Sequence, residues 1–171
     1  NGLTVGAEVV LNGQTDSEQQ IDKVYSYFGG SFGEVRFGDT DEAYTELCYQ
    51  VPSASEIFGA DSPEFNFSNA GVAGYGATNG TCYGLDGAST KIVYFSPTFG
   101  DFHFAASFTP DNTQSTRNTL DGVATRLQND AGQNSENLSV AGTFAHDFGE
   151  VNLILGGGGT YSFQKELNPN D

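Results

Sequence analysis

The chain has 171 residues, and its 22 Asp and Glu residues outnumber its 6 Lys and Arg residues, which gives a formal net charge of -16. So acidic a chain cannot neutralise a row of phosphates, and it lacks the basic cluster of a membrane-surface anchor, which excludes both functions. Hydrophobic residues make up only 37% of the chain despite 14 Phe and 8 Tyr, which suits strands with one apolar and one polar face. No run reaches the ~18 apolar residues of a transmembrane helix.

The first part of the chain alternates apolar and polar residues, which is the pattern of half-buried β-strands. Residues 3–11, 22–28 and 34–37 carry it. The polar residues 12–20 separate the first two segments, and the glycine-rich residues 29–33 separate the second from the third. We therefore predict three strands joined by one long and one short connection.

The alternation disappears in residues 39–90, a stretch too long for an ordinary connection and therefore predicted to be functional or disordered. Both cysteines, Cys48 and Cys82, lie inside it. A pair that flanks a loop predicts a disulfide and an oxidising compartment, with two free thiols as the alternative.

Four more alternating segments follow, at residues 91–95, 102–109, 138–144 and 151–164. Short turns at 96–101 and 146–150 alternate with the long polar stretch 110–137. Seven strands result, with every short turn at one end of the sheet and every long connection at the other. This is the layout of an outer-membrane β-barrel.

The same alternation assigns faces to the predicted barrel. Its inward faces are small and polar, which suits a water-filled lumen, and its outward faces are apolar. A soluble β-sandwich or jelly roll would also alternate. Because single-chain bacterial barrels have an even strand number, seven strands indicate part of a longer chain. Aromatic residues near the short turns are predicted to form an outward girdle: Tyr27, Phe28, Phe37, Tyr94, Phe102 and Phe144.

Several segments resemble general bacterial porins, and the match follows the order of the strands. Residues 25–39 resemble the family's Y-x-x-x-x-G-x-F-G-x-v-x-x-G hairpin, which leads into the pore-constricting loop. Residues 91–102 resemble the hairpin with Ser-Pro at its turn that follows this loop. Residues 1–8 are similar to a strand of the alphaproteobacterial porins, and residues 146–151 resemble a later turn.

The resemblance implies an all-β fold, an antiparallel transmembrane β-barrel of 16 strands that assembles as a homotrimer. Residues 1–171 would form one segment of it, from about the third strand to the ninth. Residues 39–90 would fold inward as the constriction loop, and residues 110–137 would be an external loop. The location implied is the outer membrane of a Gram-negative bacterium, among lipid and lipopolysaccharide, and the function is diffusion of small hydrophilic solutes and ions.

Such a pore selects solutes by its width and its fixed charges. Lys23 matches a position that is often basic and faces the lumen in the family. The alternation of their strands places Arg36 and Lys91 on the polar face. These three are therefore the predicted basic residues of the pore wall. Many relatives have a base where this chain has Asp39, which predicts a preference for cations. A Cys48–Cys82 link is not a general feature of the family, and we predict that it would pin the loop. The predicted acidic loop residues are Asp39, Asp41, Glu42, Glu46, Glu56, Asp61 and Glu64.

The residues also leave other functions open. Asp39, Asp41 and Glu42 offer the hard oxygen atoms that Ca²⁺ prefers, without the spacing of an EF-hand. No other cofactor is expected, and since no nucleophile–base constellation is present we expect no enzyme. The runner-up is a soluble or surface-displayed all-β module that binds carbohydrate or acts as an adhesin through residues 39–90. A complete eight-stranded barrel is the third alternative.

Overall fold

The computed structural model describes residues 2–11, 21–49, 82, 87–111 and 134–164. These residues form seven strands and one short helix. The elements in chain order are β1 (Thr4–Leu11), β2 (Ile21–Gly30), β3 (Gly33–Thr40), α1 (Ala43–Leu47), β4 (Ser89–Phe95), β5 (Phe102–Asp111), β6 (Asn134–Asp147) and β7 (Asn152–Gln164).

The seven strands form one open sheet in the order β1-β2-β3-β4-β5-β6-β7, and each strand pairs antiparallel with its neighbour in the chain. The prediction of an all-β fold with seven antiparallel strands is confirmed. The short connections β2–β3, β4–β5 and β6–β7 all lie at one end of the sheet, which we call the turn end.

The register gives the sheet two different faces. On one face, Phe28 of β2 pairs with Val5 of β1 and with Val35 of β3, and the row continues through Tyr94. We call this the apolar face, and it is largely exposed. On the other face, Ser107 of β5 pairs with Ser139 of β6, which pairs with Thr160 of β7. We call this the polar face.

One residue of the predicted girdle was assigned to the wrong face. Tyr27 pairs with Gly6 and Arg36 on the polar face, while its neighbour Phe28 lies on the apolar face. Successive residues of a strand point to opposite faces, so the two side chains cannot both face outward.

The predicted boundaries of the long connections also differ from the structure. β3 continues through Thr40 and β4 begins at Ser89, so residues 39, 40, 89 and 90 belong to the sheet and the connection is 41–88. Gly38 has a φ of 132°, a conformation that glycine adopts readily. The alternation of apolar and polar residues ends there, although the strand pairing continues. Likewise, β5 extends to Asp111 and β6 begins at Asn134. A register shift between Ser135 and Leu138 interrupts the alternation, so the sequence does not reveal the start of β6.

Helix α1 packs on the polar face, where it contacts β4, β5, β6 and β7. The core cluster lies beneath it and consists of Ala43 from the helix with Val93, Phe95 and Ala105 from the sheet, with Leu47 against its side. The polar face, which the sequence predicts to be small and polar, therefore also carries apolar side chains. Within the described ranges, no helix is long and apolar enough to cross a membrane.

Candidate functional site

Hydroxyl groups of the polar face fix the start of helix α1. The amide of Ala43 donates to Ser107 Oγ at 2.9 Å, and the amide of Tyr44 donates to Ser139 Oγ at 2.9 Å. The first amides of a helix have no partner within the helix, so these two serines satisfy groups that would otherwise need water. The helix is thereby attached to β5 and β6.

The residue before the helix is attached to the last strand. Thr160 Oγ1 donates to Glu42 Oε2 at 2.7 Å and also lies 3.1 Å from Ser139 Oγ. Glu42 is only 1% exposed, so this carboxylate belongs to the attachment of the segment and does not point into open solvent.

Two basic residues of the sheet make ion pairs with acids of the described residues 41–49, which we call the α1 segment. Lys23 of β2 pairs with Asp41, and its Nζ lies 3.9 Å from Glu46 Oε1. Arg36 Nη1 of β3 lies 3.4 Å from Glu46 Oε2, and Arg36 Nε lies 2.7 Å from Glu34 Oε1. Glu46 therefore lies between two bases on neighbouring strands.

The guanidinium of Arg36 is also packed between aromatic rings. Its Cζ lies 4.4 Å from the centre of the Phe95 ring and 4.9 Å from that of Tyr25. Such cation–π contacts hold the side chain in place as well as stabilising its charge. Arg36 is thus a fixed charge on the polar face.

Lys91 lies on the polar face, as the alternation predicts, but it is only 2% exposed. Its Nζ donates to the carbonyls of Thr40 at 2.7 Å and Gly87 at 2.6 Å. Beside it, Thr90 Oγ1 donates to Asp39 Oδ1 at 2.7 Å. Lys91 joins the two ends of the 41–88 connection, a role that the sequence did not indicate.

A disulfide joins Cys48 to Cys82, with 5.4 Å between their Cα atoms. Cys48 directly follows α1, so the bridge ties the end of the helix to a residue near the start of β4. The outgoing and returning parts of the long connection are therefore linked twice, by Lys91 next to the sheet and by the disulfide at the end of α1.

The three carboxylates of the predicted Ca²⁺ site have different partners. Asp39 bonds Thr90, Asp41 pairs with Lys23, and Glu42 bonds Thr160. In the part of the chain that the structure describes, no group of three or more His, Cys, Asp or Glu side chains is placed to hold a metal. The predicted acids Glu56, Asp61 and Glu64 lie outside the described residues.

Sequence reasoning missed the hydroxyl groups that hold α1. Ser107, Ser139 and Thr160 lie side by side on the polar face of β5, β6 and β7, and this row of small hydroxyl residues was the available signal. Which segment they bind depends on how the chain returns over the sheet, and no local pattern records that.

The comparisons with known proteins give one finding. A family model described as Gram-negative porin matches residues 1–168. No curated protein and no solved structure matches the chain. The match covers all seven strands and the α1 segment.

Proposed function

Because the chain belongs to the family of Gram-negative porins, we propose that it forms a diffusion channel with a preference for cations, narrowed by the segment that carries α1. The family places it in the outer membrane of a Gram-negative bacterium. It also favours a channel over an enzyme and over the soluble or surface-displayed binding module.

The constriction proposal is supported by the attachment of α1 to the polar face. Hydrogen bonds with Ser107, Ser139 and Thr160 hold the segment on β5, β6 and β7. Ion pairs of Glu46 connect it to β2 and β3. If the polar face lines the lumen, a segment attached at both sides occupies part of the pore.

The cation preference is supported mainly by the pairing of the basic residues. Lys23 and Arg36 are both paired with acids, and Lys91 is buried against two carbonyls. The whole chain carries a net charge of -16. Fixed charges of one sign in a pore attract the opposite ion, so the lumen should concentrate cations.

The reversal potential across a planar bilayer tests this proposal. We expect the purified natural protein to give discrete current steps and, in a tenfold KCl gradient, a reversal potential of the sign set by K⁺ permeation. A potential of the opposite sign would contradict the cation preference, while the absence of current steps would contradict the channel.

We extend the proposal to a homotrimer embedded among lipid and lipopolysaccharide, of which this sequence is one part. The broad exposed apolar face, with Leu155 at 57% and Leu138 at 50% exposure, is the surface that lipid or a second subunit would cover. On a denaturing gel the unboiled protein should run as a trimer, and boiling should give a monomer of about twice the mass of this segment. A heat-insensitive band near 18.1 kDa would contradict both parts.

A further inference from the structure

A cavity of about 400 Å³ lies between the α1 segment and strands β6 and β7. Tyr44, Leu47 and Tyr49 form one side, and Ala141 with residues 156–158 forms the other. Among the described residues that line it, none has a charged side chain. In a strongly acidic chain this is a neutral place beside the proposed constriction.

Two glycines lie on the floor of the cavity, the side formed by Ala141 and residues 156–158, and packing requires glycine at only one of them. A Cβ atom on Gly158 would lie 2.4 Å from Val140 O and 2.8 Å from Ala141 Cα, so packing against β6 excludes any side chain there. A Cβ atom on Gly156 would make only ordinary contacts, 3.7 Å from Thr143 Cγ2 and 3.8 Å from Tyr49 Cβ. Packing does not require glycine at 156, but a longer side chain there would enter the cavity.

Two tyrosines are held opposite this floor. The amide of Tyr44 is bonded to Ser139 Oγ at 2.9 Å, and Tyr49 directly follows Cys48, which the disulfide fixes to Cys82. Tyr49 is 52% exposed, so its ring is accessible to a solute. A tyrosine offers an apolar ring together with a polar hydroxyl.

We propose that this cavity binds the ring of a neutral pyranose sugar during its passage, an inference that rests on the proposed channel function. A pyranose has a flat C–H surface that suits an aromatic ring and a glycine floor, and a rim of hydroxyls that suits tyrosine and backbone groups. The volume is within the range of about 300–1,000 Å³ of small-molecule sites. Ions gain little in an uncharged cavity, so the site selects neutral solutes beside a path that favours cations.

Current recordings with two probes of similar size test the proposal. D-Glucose has a pyranose ring, whereas D-sorbitol has comparable hydroxyls on an open chain and corrects for viscosity. With the natural protein in planar bilayers, we expect glucose to reduce the KCl current beyond the effect of sorbitol, with saturation in the millimolar range. Equal effects of the two probes would overturn the proposal.

A matched pair of glycine variants locates the site. Gly156→Val should abolish the glucose-specific reduction because its branched side chain would occupy the floor of the cavity, where the ring is proposed to lie. Gly159→Val should retain it, because position 159 pairs with Val140 on the apolar face and a Cβ atom there meets nothing within 4 Å. A full glucose effect in Gly156→Val would overturn the proposed location.

Tyr49→Ala provides a second test that does not insert bulk. We expect it to weaken the glucose effect at least about fivefold, and an unchanged effect would count against the site. The KCl current steps of each variant report whether the channel has folded. If the natural protein shows the current steps and the cation preference but no glucose effect, the sugar site fails and the channel function stands. Without any steps in the natural protein, both fail.

Discussion

Thr160 Oγ1 donates a hydrogen bond to Glu42 Oε2 at 2.7 Å, although 118 residues separate them in the chain. This bond connects the last strand of the sheet to the residue that precedes α1. It explains why an acid that looks like a pore-facing charge in the sequence is almost completely buried. The position of the segment therefore depends on a strand that lies far from it in the sequence.

We expect Thr160→Val to loosen this attachment. A buried carboxylate that loses a hydrogen-bond donor costs about 1–3 kcal/mol, so the folded band on an unboiled gel should disappear at a lower temperature. Thr143→Val is the control, because it removes a hydroxyl from the same polar face but from the neighbouring strand β6. Equal melting of the two variants would show that the bond to Glu42 contributes nothing.

Lys91 is predicted to hold the base of the 41–88 connection together. Lys91→Met leaves the carbonyls of Thr40 and Gly87 without this donor, at a cost of about 1–3 kcal/mol. Digestion of the detergent-solubilised protein with a broad-specificity protease should then cut within 41–88 several times faster. Lys165→Met removes the same charge outside this connection and should not change the rate. An unchanged rate in Lys91→Met would refute this role.

The disulfide should stabilise the protein mainly by restricting the unfolded chain. For a link between residues 34 apart, the chain-entropy model gives about 3–4 kcal/mol. Reduction with dithiothreitol should lower the free energy of unfolding by this amount, seen as a lower guanidinium concentration at the midpoint of unfolding. The Cys48→Ser/Cys82→Ser variant should show no further response to the reductant. The same midpoint with and without reductant in the natural protein would contradict this expectation.

The sheet could be predicted from the sequence because strand alternation is a local signal. Seven strands and the porin family are confirmed, whereas the alphaproteobacterial type stays a prediction. The errors occur where a local pattern stops reporting the fold. The alternation ends at Gly38 while pairing continues to Thr40. Tyr27 was predicted to face outward together with Phe28, but only Phe28 lies on the apolar face.

The site was less predictable because its residues act through tertiary contacts. The family resemblance selected Lys23, and alternation selected Arg36 and Lys91. Neither could distinguish an ion-paired base from one that joins two carbonyls. Ser107, Ser139 and Thr160 carry no charge and match no motif. Their role follows only from the segment that lies over them.

Glu46 is central to the proposed selectivity because it lies between Lys23 and Arg36. Glu46→Gln would leave both bases less neutralised. One unit charge about 8 Å from a permeating ion in water changes its energy by about 0.5 kcal/mol, roughly a factor of two in occupancy.

The reversal potential of Glu46→Gln in a tenfold KCl gradient is the most direct test, with Glu150→Gln, an exposed acid at the turn end, as the matched control. We predict that the K⁺ to Cl⁻ permeability ratio falls about fourfold in Glu46→Gln, because K⁺ occupancy falls and Cl⁻ occupancy rises by about twofold each, and that it stays unchanged in Glu150→Gln. An unchanged ratio in Glu46→Gln, in a channel that still conducts, would contradict the account that the α1 segment forms a charged constriction.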